Sequence, residues 1–225
     1  VLPVNNSKFI PALRFHWLTG AYNAVVGQFM PERRFKNALI SRAQLTGHED
    51  ILDFGVGTAT LSLMLKKVLP SLNITGIDID EKMLNIAKSK TIGSNLHLLL
   101  YDGDKLPFGD ENFDRVVSSL VIHHLTDTQR LAAFREMLRV LRPGGSLVVA
   151  DWGQPASVVQ RFLFYLIQWL DGFETTTANV KGIVPEMATT AGFNNVLIHE
   201  RFQTVFGTLE IYTGEKNPTK ARDRI

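Results

Sequence analysis

The middle of the chain alternates short apolar runs with segments whose apolar residues recur every three or four positions. That alternation predicts strands and helices in turn. Ile51–Phe54 is an apolar run that stops at glycines and reads as a first strand. Leu61, Leu65 and Val68 then recur at helical spacing, and Pro70 ends that helix. Ile74–Ile79 reads as the second strand, with Asp80 as N-cap of a helix that presents Met83, Leu84 and Ala87. Leu96–Tyr101 is the third strand, and Asp114–Leu120 the fourth, apolar enough for burial on both faces. Thr126–Leu141 is an amphipathic helix with Leu131, Phe134, Leu138 and Leu141 on one stripe. Pro143-Gly144-Gly145 ends it and turns the chain into a fifth strand, Ser146–Ala150. A last helix, Val184–Ala191, is closed by Gly192. The neighbouring strands Val196–Arg201 and Val205–Tyr212 predict an antiparallel edge hairpin.

This order predicts a doubly wound α/β fold with a mainly parallel, seven-stranded, Rossmann-like sheet. One domain accounts for residues 1–225. Residues 49–154 are its core, and 183–216 its last helix and edge hairpin. Residues 1–48 are a helical cap bearing Phe15, Trp17, Leu18, Tyr22 and Phe29. Residues 155–182 are a helical insertion placed to act as a lid. Cap and insertion are both expected near the carboxyl ends of the strands, where such sheets bind ligands. Within the insertion, Val158–Leu170 is too short to cross a bilayer, which takes about 20 residues. Its Phe162, Phe164, Tyr165, Ile167 and Trp169 fit a buried or dimer-forming helix, an apolar lid, or peripheral membrane contact.

Composition narrows the chemistry. The 225 residues are 45% hydrophobic and 20% charged, ordinary for a packed domain. There is no cysteine, so disulfides, thiolate zinc sites and cysteine nucleophiles are excluded. A formal net charge of +2 offers no footprint for a nucleic acid. The basic tail, Lys216, Lys220, Arg222 and Arg224, reads as a solvated terminus. The first residues lack a signal-peptide pattern, so a cytoplasmic location is expected. A monomer or homodimer without a metal is expected as well.

The strongest chemical signal is Asp53-Phe54-Gly55-Val56-Gly57-Thr58-Ala59-Thr60, directly after the first strand and before a helix. Glycines there permit a tight turn and let a ligand lie against bare backbone. Asp78, about 20 residues on and at the end of the second strand, suits the two hydroxyls of a ribose. Asp102 ends the third strand, so three carboxylates line one cleft. A pyrophosphate avoids such charge, whereas a cationic amino group and a sulfonium favour it. The loop also departs from the dinucleotide pattern at Thr60. The ligand these features favour is S-adenosylmethionine. A nicotinamide-dependent oxidoreductase on a related fold and a non-catalytic S-adenosylmethionine-binding protein are the alternatives.

These motifs resemble those of class I methyltransferases, in particular the ubiquinone and menaquinone biosynthesis group. The likeness runs from about Arg14 to Lys216 and is densest from Ile51 to Asp151. It rests on ILDFGVGTATLSLML, GIDIDEKML, DGDKLPFGDENFDRVVSSLVIHHL and LRPGGSLVVAD. The resemblance implies that Asp53, Gly55, Gly57 and Thr58 line the methionine part of the cofactor, and that Asp78 holds its ribose. It implies that Ile79 lies against the adenine, Asp102 accepts from the adenine amino group, and Gly103 offers backbone beside it. It further implies that Ser119 or Leu120 lies under the sulfonium and that Tyr22 closes over the site. Ala59 stands where the family has a third glycine, so tighter packing is expected with binding kept.

Methyl transfer from a sulfonium needs donor and acceptor held in line, and a base only if the acceptor must lose a proton. His123, His124 and Asp151 are the candidate bases. The histidines serve equally as a structural corner after a buried strand, and Asp151 as a cap. Ser118-Ser119-Leu120-Val121 replaces the Asn-Pro-Pro-Tyr type motif of amino-methylating enzymes of DNA bases and glutamine. The acceptor expected is therefore a small molecule, such as a quinol precursor or a lipid, with S-adenosylhomocysteine as the other product.

Overall fold

The computed structural model describes residues 32–205 and 207–218, so most of the expected N-terminal cap, Tyr22 included, lies outside the described residues. Seven strands form one sheet: β1 (Asp50–Phe54), β2 (Asn73–Asp78), β3 (Leu96–Leu100), β4 (Phe113–Ser119), β5 (Leu141–Trp152), β6 (Asn194–Gln203) and β7 (Thr208–Glu215). Their order is β3-β2-β1-β4-β5-β7-β6. The first five are mutually parallel. β7 is antiparallel to both β5 and β6, so the hairpin enters the sheet with its second strand inward. The chain moves outward from β1 to β3, then crosses to β4 on the other side of β1. That reversal opens a crevice beyond the carboxyl ends of β1 and β4.

Helices cover both faces: α1 (Glu32–Arg42), α2 (Thr60–Val68), α3 (Glu81–Lys90), α4 (Asp127–Val140), α5 (Val158–Asp171), α6 (Phe173–Lys181) and α7 (Val184–Ala191). Alternate residues of each central strand point to opposite faces. Ile51, Val117 and Val148 meet Phe35 and Leu39 of α1, Leu65 of α2, and Phe164 and Ile167 of α5. Leu52, Val116 and Val149 meet Phe134 and Met137 of α4 and Ala188 of α7. Asp80 caps α3 by accepting from the amides of Lys82 and Met83. Thr126 and Gln129 form a reciprocal capping box on α4.

Several expected boundaries and faces are corrected. β5 begins at Leu141, directly after α4, instead of at Ser146. Phe113 pairs with Leu141 and Arg115 with Ser146, so Pro143-Gly144-Gly145 is a bulge inside the strand, not a turn before it. Bonds between Gly144, Gly145 and Lys216 pin that bulge to the end of β7. The hairpin strands run Asn194–Gln203 and Thr208–Glu215, which leaves Val205 outside them. The buried stripe of α4 is Arg130, Ala133, Phe134, Met137 and Val140, while Leu138 is only partly buried. The stripe is turned because α7 packs along the flank of α4 as well as the sheet beneath it. Val68, expected on the buried face of α2, is 59% exposed.

Below the sheet's amino edge, Glu49 accepts from the amides of Thr46 and Gly47 and from the Thr46 hydroxyl. Burial raises this carboxyl, but those bonds outweigh it and hold it at about 2. Among the described residues, no helix is long and apolar enough to cross a membrane.

Candidate functional site

The loop after β1 is shaped by close packing. The amides of Gly55 and Val56 both donate to the Ile77 carbonyl of β2, at 2.9 and 2.8 Å. That folds the loop over the sheet edge. Gly55 has φ +74°, and a Cβ there would lie 2.3 Å from Val121, so only glycine fits. Val56 sits over Gly76 of β2, where a Cβ would lie 2.6 Å from the valine. Gly76 is a functional position that hydrophobic spacing does not reveal, although a glycine inside a strand is itself a sign of close approach. Gly57 differs. Its φ is +53°, and among the described residues nothing lies within 4 Å of where its Cβ would be. Gly103, just beyond β3, is likewise open, with φ +93°. Bare backbone therefore faces the cleft from both ends.

Asp53, Asp78 and Asp102 stand at or just beyond the carboxyl ends of three neighbouring strands. Asp53 is buried beneath the loop and accepts from the Ser62 hydroxyl of α2 at 2.6 Å. Burial pushes its carboxyl up to about 6, against the Ser62 bond and the charge of Lys36. Asp78 accepts from the Gly57 amide at 2.7 Å and from the Asp80 amide at 2.9 Å, so it ties the loop to its own strand. Burial raises its carboxyl too, opposed by those amides. Asp102 is exposed and accepts from the Asp104 amide. Ile79, beside Asp78, is 40% exposed, an apolar surface at the rim. The hydroxyls of Thr58 and Thr60 lie 3.3 Å apart at the loop's far end.

At the tip of β4, the Ser119 hydroxyl is buried with no hydrogen-bond partner among the described residues. Leu120 has φ +59°, a conformation that costs a non-glycine residue about 1–3 kcal/mol and persists only where its surroundings enforce it. Its amide is held by the Ala150 carbonyl of β5 at 2.9 Å.

His123 and Asp151 are brought together. His123 lies in a short turn of 3-10 helix, Ile122–His124, after β4, and Asp151 is near the end of β5. Nδ1 of His123 lies 2.6 Å from the Asp151 carboxylate, and both residues are buried. The same carboxylate accepts from the amides of His123 and Trp152. Burial raises Asp151, but His123 and these bonds outweigh it and hold the carboxyl low. An ionised Asp151 accepts, so the proton sits on Nδ1 of His123. The His124 ring lies against that of His123, with centroids 3.9 Å apart and planes tilted by 42°. Burial and that neighbour push His124 down to about 3, so it is neutral near pH 7. Asp151 shares the parity of Val149, on the α4 face, whereas Asp53 shares that of Ile51, on the α1 face. The acidic cleft and the His–Asp pair thus lie along one edge but on opposite faces of the sheet.

Residues 51–145 match the methyltransferase domain family. That stretch is similar to the family's domain, and the fold around it is the one seen in solved S-adenosylmethionine-dependent methyltransferases. The chain is 27% identical over 218 residues to the ubiquinone/menaquinone biosynthesis C-methyltransferase UbiE of Geotalea daltonii, covering 82% of this chain and 86% of that protein. It is 34% identical over 129 residues to the demethylmenaquinone methyltransferase of Deinococcus radiodurans, covering 56% of this chain and 52% of that one. For that relative, as for several others, the match spans about half of its length. Among solved structures, phosphoethanolamine N-methyltransferase 2 of Haemonchus contortus, in complex with S-adenosylhomocysteine, has a TM-score of 0.66 at 17% identity. The similarity covers 82% of this chain and 52% of that one, and supports the fold. The methyltransferase match sets aside the dehydrogenase alternative.

Proposed function

We propose that the protein transfers a methyl group from S-adenosylmethionine to a small apolar acceptor of the reduced-quinone type. The observation that carries the donor half is the open backbone of Gly57 and Gly103 beside Asp78. A side chain at either glycine would occupy space that a nucleoside needs. Asp78 is placed for ribose hydroxyls, Ile79 for one face of the adenine, and Asp102 with Gly103 for its amino edge. Asp53 lies beneath the amino-acid part of the donor, flanked by Gly55, Gly57 and Thr58. A positive charge there lowers the cost of ionising its buried carboxyl. The unpartnered Ser119 hydroxyl and the strained Leu120 backbone support a place for the methionine part at the tip of β4. The bound donor supplies an electrophilic methyl group on a sulfonium, and the chain's own task is to hold the acceptor in line with it.

The acceptor half rests on the quinone-directed relatives and on α5. Val158, Phe162, Leu166 and Trp169 leave an apolar face exposed along that helix. It suits an apolar acceptor delivered from a lipid surface. For an acceptor that must lose a proton, the base is His123, oriented by Asp151. His124 is held too low to be an effective base near neutral pH.

Two measurements test this. S-adenosylhomocysteine should raise the unfolding temperature while NAD does not, and Asp78→Ala should weaken that binding by up to about 3 kcal/mol. Labelled S-adenosylmethionine should pass its methyl group to a short-chain prenyl naphthoquinol. Equal stabilisation by NAD, or unchanged affinity in Asp78→Ala, would refute the donor site. No transfer to the quinol would refute the acceptor.

A further inference from the structure

Arg130, in the first turn of α4, is fully buried. Its Nε and Nη2 donate to the Ile122 carbonyl at 3.3 and 3.2 Å, in the residue just before His123. Nη2 also donates to the Thr175 carbonyl at 2.7 Å and to the Asn179 side chain at 3.2 Å, both on α6. Nη1 pairs with Asp127 at 2.7 Å. Asn179, itself fully buried, donates to the Trp152 carbonyl at 2.6 Å, in the residue just after Asp151. The guanidinium thus grips the chain on one flank of the His123–Asp151 pair and, through Asn179, on the other. The same contacts fasten α6 of the insertion against both.

Burying a charge costs several kcal/mol unless every donor is used, and an apolar side chain fills such space more cheaply. A rigid planar fork spans acceptors on separate elements, whereas a lysine ammonium presents its donors from one point. The position therefore calls for a fork. We propose that Arg130 is a positioning residue for methyl transfer. It sets the spacing of His123 and Asp151 from both flanks and fixes α6 beside them. This role rests on the assignment of that pair as the base.

The test reads the pair directly. A histidine Nδ1 proton held by a carboxylate gives a far-downfield NMR resonance. It is recorded in the full chain without cofactor, and assigned with Asp151→Asn. In Arg130→Lys the resonance should move upfield or be lost to exchange. kcat for the prenyl naphthoquinol should fall on the order of tenfold or more. S-adenosylhomocysteine affinity should stay within about twofold, since its site shares no partner with Arg130. If the lysine variant fails to fold, Asn179→Ala removes one Arg130 acceptor together with the Trp152 link, leaves the Ile122 and Thr175 contacts in place, and should move the same resonance by less. An unchanged resonance in the folded variant, with only the unfolding temperature lowered, overturns the proposal. Failure of the wild type to bind S-adenosylhomocysteine defeats the donor reading instead, and the resonance still decides the role of Arg130.

Discussion

Ala59 stands where the motif's resemblance implies a third glycine, and the structure gives an alanine there a cost and a return. Its φ is +60°, at the N-cap of α2, and its methyl group is fully buried beside Val56, Leu84 and Ala87. A left-handed conformation costs an L-residue about 1–2 kcal/mol. Burying the methyl returns about 0.8 kcal/mol, and glycine would lose about 0.5–1 kcal/mol more in backbone entropy. The terms nearly cancel, so Ala59→Gly should change stability by less than about 1 kcal/mol. Ala59→Val sets a β-branched residue in the same conformation within a filled cluster, and should cost about 2 kcal/mol or more. Denaturant titration of both variants checks the pair. The glycine loop and its acids were legible because each lies next to a strand end. The +60° at Ala59 was not, because the residue type gives no hint of it.

At the scale of elements, α5 shows why periodicity runs out. Val158–Leu170 is apolar nearly all round, so spacing does not reveal which side faces the core. Phe164 and Ile167 are fully buried, and the Phe164 ring meets Trp152 edge-on at 5.6 Å. Phe162 is 74% exposed on the other side. Thermal unfolding should therefore show Phe164→Ala losing about 3–5 kcal/mol, against about 0.5 kcal/mol or less for Phe162→Ser. Comparable losses would mean that the outer face is packed. α4 carries the same lesson. Its apolar stripe pointed to Leu131 and Leu138, but contact with α7 as well as the sheet drew Arg130 inward.

For the molecule as a whole, two buried carboxyls pull stability in opposite directions with pH. Glu49 is held at about 2, below its ordinary value, so the stability it adds is present above about pH 4.5 and lost as pH falls toward 2. Asp53 is raised to about 6, so the folded state binds its proton more tightly than the unfolded chain. Its ionisation therefore removes stability as pH rises from about 4 to about 6. Asp53→Asn lacks that loss. Urea unfolding should find the variant gaining on the wild type across this interval, by at most about 3 kcal/mol. A difference independent of pH would show that Asp53 ionises normally. Spacing alone determined the order of strands and helices, and with it the edge that carries Asp53, Asp78 and Asp102. In a parallel sheet every strand delivers its last residue to the same side, so chain order suffices. Only the tertiary structure decided that His123 meets Asp151, 28 residues away, that Arg130 is buried between them and α6, and that Asp53 is walled in under its own loop. Those facts depend on which elements lie side by side across the sheet, and no local pattern records that.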